Sequence, residues 1–323
     1  MQFYLAPMEA VTGFVYRNVY HSMFGDMDKY FAPFITPTQK KILRTRERKD
    51  VAPENNVGMY MVPQILTNNA EQFIETCEFL AKQGYKEINL NLGCPAPTVV
   101  TKGRGSGFLG DTVKLERFLA EVYRWNNGLP EAERFDISVK TRLGLEDAEE
   151  FEEILPIYNS YPLKEVIIHP RVRRDFYKGM PDLDAFGKAL ELCKHSVCYN
   201  GDIFSVDNYM NISKQFPSVD KIMLGRGMIT NPGLVREIKT GCKITKEELR
   251  QYHDALYAGY LQDLGAETDV LFKMKEVWFY LGTNFQDSDK IIKKVCKAKR
   301  PDEYKSVLKE IWPTIEMMPE SSK

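Results

Sequence analysis

The run Glu87-Ile88-Asn89-Leu90-Asn91-Leu92 alternates like a strand, and Gly93-Cys94-Pro95 follows it at once, placing a thiol on a tight turn. Glycine and proline leave such a turn few conformations, so the Cys94 side chain has a fixed direction at the strand's end. A thiol held there can do chemistry, or it can pack as a small hydrophobe, the commonest fate of a single cysteine. Other polar residues stand at the same point of neighbouring strand-like runs. Ala6-Pro7-Met8 closes the first run, Gln64 the third, Asn91 and Cys94 the fourth, Lys140 and Arg142 the fifth, and His169-Pro170-Arg171 the sixth. Asn200-Gly201-Asp202 and Gly225-Arg226-Gly227 close the last two. Singly, a lysine here is a solvated edge charge and a histidine is a satisfied core group. Packing alone does not require all of them at equivalent positions, and that coincidence favours one shared site.

The chemistry of such a site follows from the residue types. Glycines after the last two strands let backbone N–H groups approach an anion, a common phosphate position in barrels, and Arg226 adds charge-assisted bonds. A phosphate tail there orients a ring over the barrel mouth. Lys140 can then stabilise negative charge on a reduced flavin, Gln64 can bond the ring's polar edge, and Pro7-Met8 can supply an apolar, polarizable backing. Flavin suits these groups better than nicotinamide.

The elements that must position these residues repeat one unit. Strand-like runs occur near Gln2 to Ala6, Asp28 to Ala32, Gly58 to Ile65, Lys86 to Leu92, Asp136 to Arg142, Lys164 to His169, Ser196 to Asn200 and Asp220 to Leu224. Helical periodicity falls between several of them, clearest in Ala70, Phe73, Ile74, Cys77, Leu80 and Ala81, where Cys77 reads as core packing. Alternating strands and helices predict a parallel sheet, and this number of strands predicts a TIM (β/α)8 barrel over residues 1–240. After Thr245-Lys246-Glu247-Glu248, a capping box, strand signals vanish; residues 241–323 are expected to form a small all-helical C-terminal domain. A doubly wound dinucleotide sheet is the alternative, but its glycine-rich turn is missing after the first strand. Gly105-Ser106-Gly107-Phe108-Leu109-Gly110 matches G-x-G-x-x-G by letter, yet it trails the Asn91 strand by more than ten residues. It reads as a mobile glycine loop, either a lid that touches phosphate through Lys102 and Arg104 or a plain surface loop.

Composition sets outer limits. A chain of 323 residues with 43% hydrophobic and 28% charged content is that of an ordinary globular protein. Six cysteines show no C-x-x-C pair and four histidines add little, so no metal centre is expected. No charged leader opens the sequence and no apolar run reaches membrane-spanning length, which predicts a cytoplasmic protein with reduced thiols. A net charge of −1 gives no bulk attraction for nucleic acid.

The ordered motifs Asn91-Leu92-Gly93-Cys94-Pro95, Ser138-Val139-Lys140-Thr141-Arg142, Ile168-His169-Pro170-Arg171, Asn200-Gly201-Asp202-Ile203 and Leu224-Gly225-Arg226-Gly227 resemble those of the flavin-dependent tRNA-dihydrouridine synthases. So does Ala6-Pro7-Met8, and the resemblance runs through the whole barrel. It implies an enzyme that uses NADPH to reduce bound FMN and then passes hydride to C6 of a tRNA uridine while a cysteine protonates C5. Cys94 would be that proton donor, consistent with an unperturbed thiol pKa of roughly 8.5. The resemblance also implies that Asn91 and Arg142 meet the uracil and that Pro7, Met8, Gln64, Lys140 and His169 contact the flavin. Asn200, Gly201, Asp202, Gly225 and Arg226 would hold its phosphate. Pro170 stands where many members carry glycine, and Asn231-Pro232-Gly233 lacks their usual aromatic.

An RNA partner needs local charge. Lys290, Lys293, Lys294 and Lys297 recur at helical steps, with Lys299 and Arg300 beyond, and could track phosphates. A second cluster runs through Lys40, Lys41, Arg44, Arg46, Arg48 and Lys49, interrupted by Glu47, and a third comprises Arg171, Arg173 and Arg174. Any such run can equally be a solvated surface. Two other readings stay open: an FMN-barrel reductase of a free pyrimidine or enoate, and a tRNA-binding protein without turnover.

Overall fold

The computed structural model describes residues 1–318 and divides the chain into two compact units. The first comprises Met1–Pro7, Asp28–Asp202 and Phe216–Met223; the second comprises Met8–Met27, Ile203–Gln215 and the chain from Leu224 onward.

The first unit is built on nine short strands: β1 (Gln2–Leu5), β2 (Lys29–Phe31), β3 (Met61–Val62), β4 (Gln64–Ile65), β5 (Glu87–Leu92), β6 (Asp136–Gly144), β7 (Glu165–Val172), β8 (Ser196–Tyr199) and β9 (Lys221–Leu224). Their order is β3-β2-β1-β9-β8-β7-β6-β5-β4, with parallel pairing. The two ends of that order, β3 and β4, are consecutive in the chain and separated only by Pro63. Proline has no N–H for the ladder, so the third expected strand is split in two at this residue. The Pro63 carbonyl still accepts from the Asn89 N–H at 2.9 Å. The sheet therefore closes on itself, and the expected (β/α)8 barrel is present with its third strand interrupted.

β5 and β7 are buried along their whole length, polar residues included: Glu87, Asn89 and Asn91 on the first, Glu165, His169 and Arg171 on the second. Inside the barrel Tyr4, Ala6, Phe31, Val62, Ile167, Cys198 and Met223 form one cluster. At the amino ends of the strands Lys29 lies 2.6 Å from Glu87 and 3.1 Å from Glu165, whose other oxygens accept from Tyr60 and Tyr4. That end is closed by satisfied charge. On the flank, the helix Ala70–Ala81 buries Phe73, Cys77 and Leu80 as its periodicity predicts.

The second unit is helical apart from its short strand end. Thr245 and Glu248 cap each other reciprocally, Thr245 N–H to Oε2 at 2.9 Å and Glu248 N–H to Oγ1 at 3.2 Å, and open the helix Lys246–Leu264. The helix Phe14–Met23 packs on it: Tyr16 meets Tyr252 edge to face at 6.1 Å, and a side chain at Gly259 would come within 2.9 Å of Val15. The helices Glu267–Leu281, Ser288–Lys297 and Pro301–Thr314 surround His253, Trp278, Tyr304 and Trp312. Among the described residues no helix is long and apolar enough to cross a membrane, and no disulfide forms.

Candidate active site

In the first unit the Cys94 turn is fastened by its own strand. Asn91 Oδ1 accepts from the N–H groups of Gly93 at 3.1 Å and Cys94 at 3.0 Å, an Asx-type turn that fixes which way the amide points. Asn91 Nδ2 then donates to Gln64 Oε1 at 2.7 Å, Gln64 Nε2 to Asn89 Oδ1 at 2.7 Å, and Asn89 Nδ2 to Ser138 Oγ at 2.9 Å. This chain of amides crosses β4, β5 and β6, where Gln64 pairs with Asn89 and Asn89 with Ser138 in register. Every member is buried, so each amide orientation is dictated by the next. Asn89 is absent from the residues singled out by sequence. Its signal was the i, i+2 spacing to Asn91, which puts both on one face of a strand.

Arg142 closes the turn from β6. Its Nε donates to the Gly93 carbonyl at 2.9 Å, and its two terminal nitrogens donate to the carbonyls of Val172 at 2.9 Å and Phe176 at 2.6 Å. Three of its five donors thus hold backbone, and the guanidinium lies 5.5 Å from the centre of the Tyr177 ring. Lys140, the register partner of Asn91, has a different role. Among the described residues no hydrogen bond or ion pair reaches its ammonium. Burial of the charged form, with the positive field of Arg142 added, lowers its pKa to about 8. A desolvated cation of this kind favours an anionic neighbour.

On β7 the His169 ring is read by Arg171. Arg171 Nη1 lies 3.1 Å from His169 Nε2, and since guanidinium can only donate, Nε2 accepts and the ring proton sits on Nδ1. Arg171 also grips Asp202 with two bonds of 3.0 and 2.6 Å and donates to the carbonyls of Lys178 and Gly179. It is 1% exposed, which removes Arg171 from the basic surface cluster expected from sequence: its charge is spent inside. Arg173 sits 4.0 Å from Glu146, and Arg174 is exposed.

After β8, Asn200 Nδ2 donates to the Met223 carbonyl at 2.8 Å, and a side chain at Gly201 would fall 2.0 Å from the Tyr199 hydroxyl, so only glycine fits. Pro7 follows β1. In the second unit, the Met8 N–H donates to Thr12 Oγ1 at 2.7 Å, and Gly225 precedes the short helix Arg226–Thr230, where the Arg226 guanidinium lies 5.4 Å from the Phe204 ring.

Two expectations change. The glycine segment is not superficial: Ser106 is wholly buried and Phe108 is 1% exposed. Close packing, which the letters G-x-G-x-x-G do not announce, is the reason. In the Lys40 cluster, Glu47 lies 4.0 Å from Arg44 Nε. It is buried, accepts from the N–H groups of Arg44 and Thr36, and leaves the six basic residues exposed around it. On the helix Ser288–Lys297, Lys290 pairs with Asp287 and Lys294 with Glu310, whereas Lys293 and Lys297 are exposed with no ion pair among the described residues. No group of three His, Cys, Asp or Glu among the described residues is arranged to hold a metal.

A probable tRNA-dihydrouridine synthase of Staphylococcus aureus (strain Mu50 / ATCC 700699) is 30% identical over 277 residues, covering 81% of this chain and 79% of that one. A probable tRNA-dihydrouridine synthase 2 of Bacillus subtilis (strain 168) is 27% identical and covers 95% of this chain and 92% of its own. Among solved structures, morphinone reductase in complex with tetrahydroNAD superposes with a TM-score of 0.53 at 13% identity, over 76% of this chain and 88% of the other, a likeness of fold alone. The sequence profile described as "Dihydrouridine synthase (Dus)" matches residues 4–312, and the chain belongs to that enzyme family.

Proposed function

We propose that this protein reduces the C5=C6 bond of uridine in tRNA to 5,6-dihydrouridine, with bound FMN and with NADPH as the reductant. The observation that carries this reading is the Cys94 turn, aimed by Asn91 and Arg142 beside an uncompensated Lys140. The residues present suit a flavin. Lys140 offers a desolvated cation, Gln64 keeps a second amide hydrogen after bonding Asn89, and His169 carries its proton on Nδ1 as a donor. Pro7 lines the end of β1 in the same unit, and Asn200 and Gly201 are assigned to the phosphate side. Asp202 has both carboxylate oxygens on Arg171 and is proposed on the phosphate side with its charge so neutralised. In the second unit Met8, Gly225 and Arg226 keep the flavin and phosphate roles that the family resemblance gives them. FMN bound there would supply the hydride for C6 of the uracil.

The chain's own residues do the rest. Cys94 Sγ holds the proton that goes to C5, and Asn91 and Arg142 fix the backbone on which that sulfur sits while presenting the uracil side of the site. The target base must leave its stack, which is easiest in an unpaired loop. The helices from residue 241 onward are proposed as the tRNA-recognition part, with Lys290, Lys293, Lys294 and Lys297 as the phosphate-facing helix.

The test is direct. Purified protein reconstituted with FMN should be yellow and oxidise NADPH. Cys94→Ala should bind FMN and be reduced normally, yet form dihydrouridine about 10²-fold more slowly, the usual scale for losing a general acid. Full product formation by Cys94→Ala would remove Cys94 from its role. A yellow protein that oxidises NADPH but leaves every tRNA uridine intact would favour a small-molecule reductase instead.

A further inference from the structure

The segment Gly105–Gly110 is built into the first unit by three close approaches. A side chain at Gly105, whose φ is +56°, would stand 2.8 Å from the Cys94 carbonyl oxygen and 3.0 Å from Cys94 Cβ. At Gly107 it would meet the Val100 carbonyl at 2.6 Å, and at Gly110 the Leu145 side chain at 2.4 Å. Between them Phe108 is buried and meets Phe118 edge to face at 5.4 Å, and Phe118 meets Phe73 at 5.6 Å. The glycine spacing that resembles a phosphate loop is therefore a packing device, and its first glycine packs on the cysteine.

Ser106 makes the polar contact of that device. Its N–H and its hydroxyl both donate to the Cys94 carbonyl, at 3.1 and 2.9 Å. Asn91 already holds the Cys94 N–H, and Arg142 holds the carbonyl of Gly93. Fixing only the amide side of Cys94 leaves its ψ free. Fixing the carbonyl as well locks both backbone torsions, and the direction of Cβ with them. Ser106 is wholly buried, so neither bond has to compete with water.

We propose that Ser106 is a positioning residue for Cys94, holding the carbonyl side of the turn so that the sulfur points to one place above the barrel, with Gly105 as the spacer that brings it within reach. The inference rests on the reading of Cys94 as the proton donor, and the experiment separates the two. In the full-length, FMN-loaded protein, Ser106→Ala removes one of the two bonds and leaves the backbone bond in place. Alkylation by iodoacetamide, followed peptide by peptide by mass spectrometry, should change about 5-fold in rate at Cys94, the factor set by a net hydrogen bond of about 1 kcal/mol. The exposed Cys242 and Cys296 serve as internal references and should react as before. In a single turnover of pre-reduced enzyme, dihydrouridine formation should fall by a similar factor. The same substitution made in a Cys94→Ala background should add no further loss.

Unchanged alkylation at Cys94 overturns the proposal. So does an equal additional loss of rate in the Cys94→Ala background, which would mark Ser106 as acting on something else. If Cys94→Ala alone forms product at the full rate, it is the acid assignment that fails, and the alkylation comparison then decides whether Ser106 positions the turn.

Discussion

At Lys140 a buried ammonium lies in the field of a second cation, Arg142, and no ion pair reaches it among the described residues. Such a charge works against folding until an anionic or electron-rich partner arrives, the common relation between a prepared site and the stability it forfeits. Lowering the pKa from 10.5 to about 8 corresponds to about 3 kcal/mol at most, so Lys140→Met should stabilise the flavin-free protein by up to that amount while weakening FMN binding. The unfolded chain keeps the proton on Lys140 up to its ordinary 10.5, whereas the folded chain gives it up near 8. Between those values the unfolded state binds the extra proton, so the wild-type protein gains stability as pH rises through this window. Urea midpoints of both proteins between pH 7 and 10.5 check this. The gap in favour of the variant should be widest below pH 8 and close toward 10.5; a gap independent of pH would mean that burial of the charge is not its source.

Among the elements, the helix Lys246–Leu264 shows how a local signal and a distant partner combine. Its reciprocal Thr245–Glu248 cap is written in adjacent residues, but Arg236, which donates to both Glu248 oxygens at 2.6 and 3.0 Å, is supplied by the preceding helix. The Arg236 bonds, with those from Thr245, pull the Glu248 carboxyl down from 4.5 to about 2 against a smaller effect of burial. A carboxylate so depressed contributes stability that is whole above pH 4.5 and disappears as pH falls toward 2. Glu248→Gln should therefore cost about 2 kcal/mol at pH 7, after allowance for partial exposure, and nothing near pH 2, as read by acid titration of helical circular dichroism. The same division governs what the chain discloses. Strand ends, the Ala70–Ala81 stripe and the Thr245 cap depend on neighbours within a few residues, and all were legible. Pro63 splits its strand because one N–H is missing, a local fact that a strand-length average hides. The Arg171–Asp202 pair and the Ser106–Cys94 brace join residues far apart in sequence, so no periodicity could report them. Arg171 therefore looked like a surface cation and Ser106 like part of a loose loop.

For the molecule as a whole, a net charge of −1 means that any grip on RNA comes from where cations are left unpaired rather than from their number. On the helix Ser288–Lys297 four lysines have the spacing of a phosphate-tracking face, but Lys290 is matched by Asp287 and Lys294 by Glu310. Lys293 and Lys297 carry exposed charge without such a match among the described residues. A cation already paired must give up its carboxylate before it meets a phosphate, whereas an unpaired one exchanges only water and counter-ions. Reversing Lys293 and Lys297 to glutamate should therefore weaken tRNA binding more than reversing Lys290 and Lys294. It should also flatten the dependence of log Kd on log salt by about 2, one for each lost phosphate contact. Fluorescence anisotropy with tRNA from 50 to 300 mM salt, taken as roughly the range over which counter-ion release is steep, measures both quantities. Equal losses from the two pairs of substitutions would show that the ion pairs on this helix dissolve on binding. An unchanged slope for Lys293 and Lys297 would move the RNA contact elsewhere, first to the six exposed basic residues around Glu47.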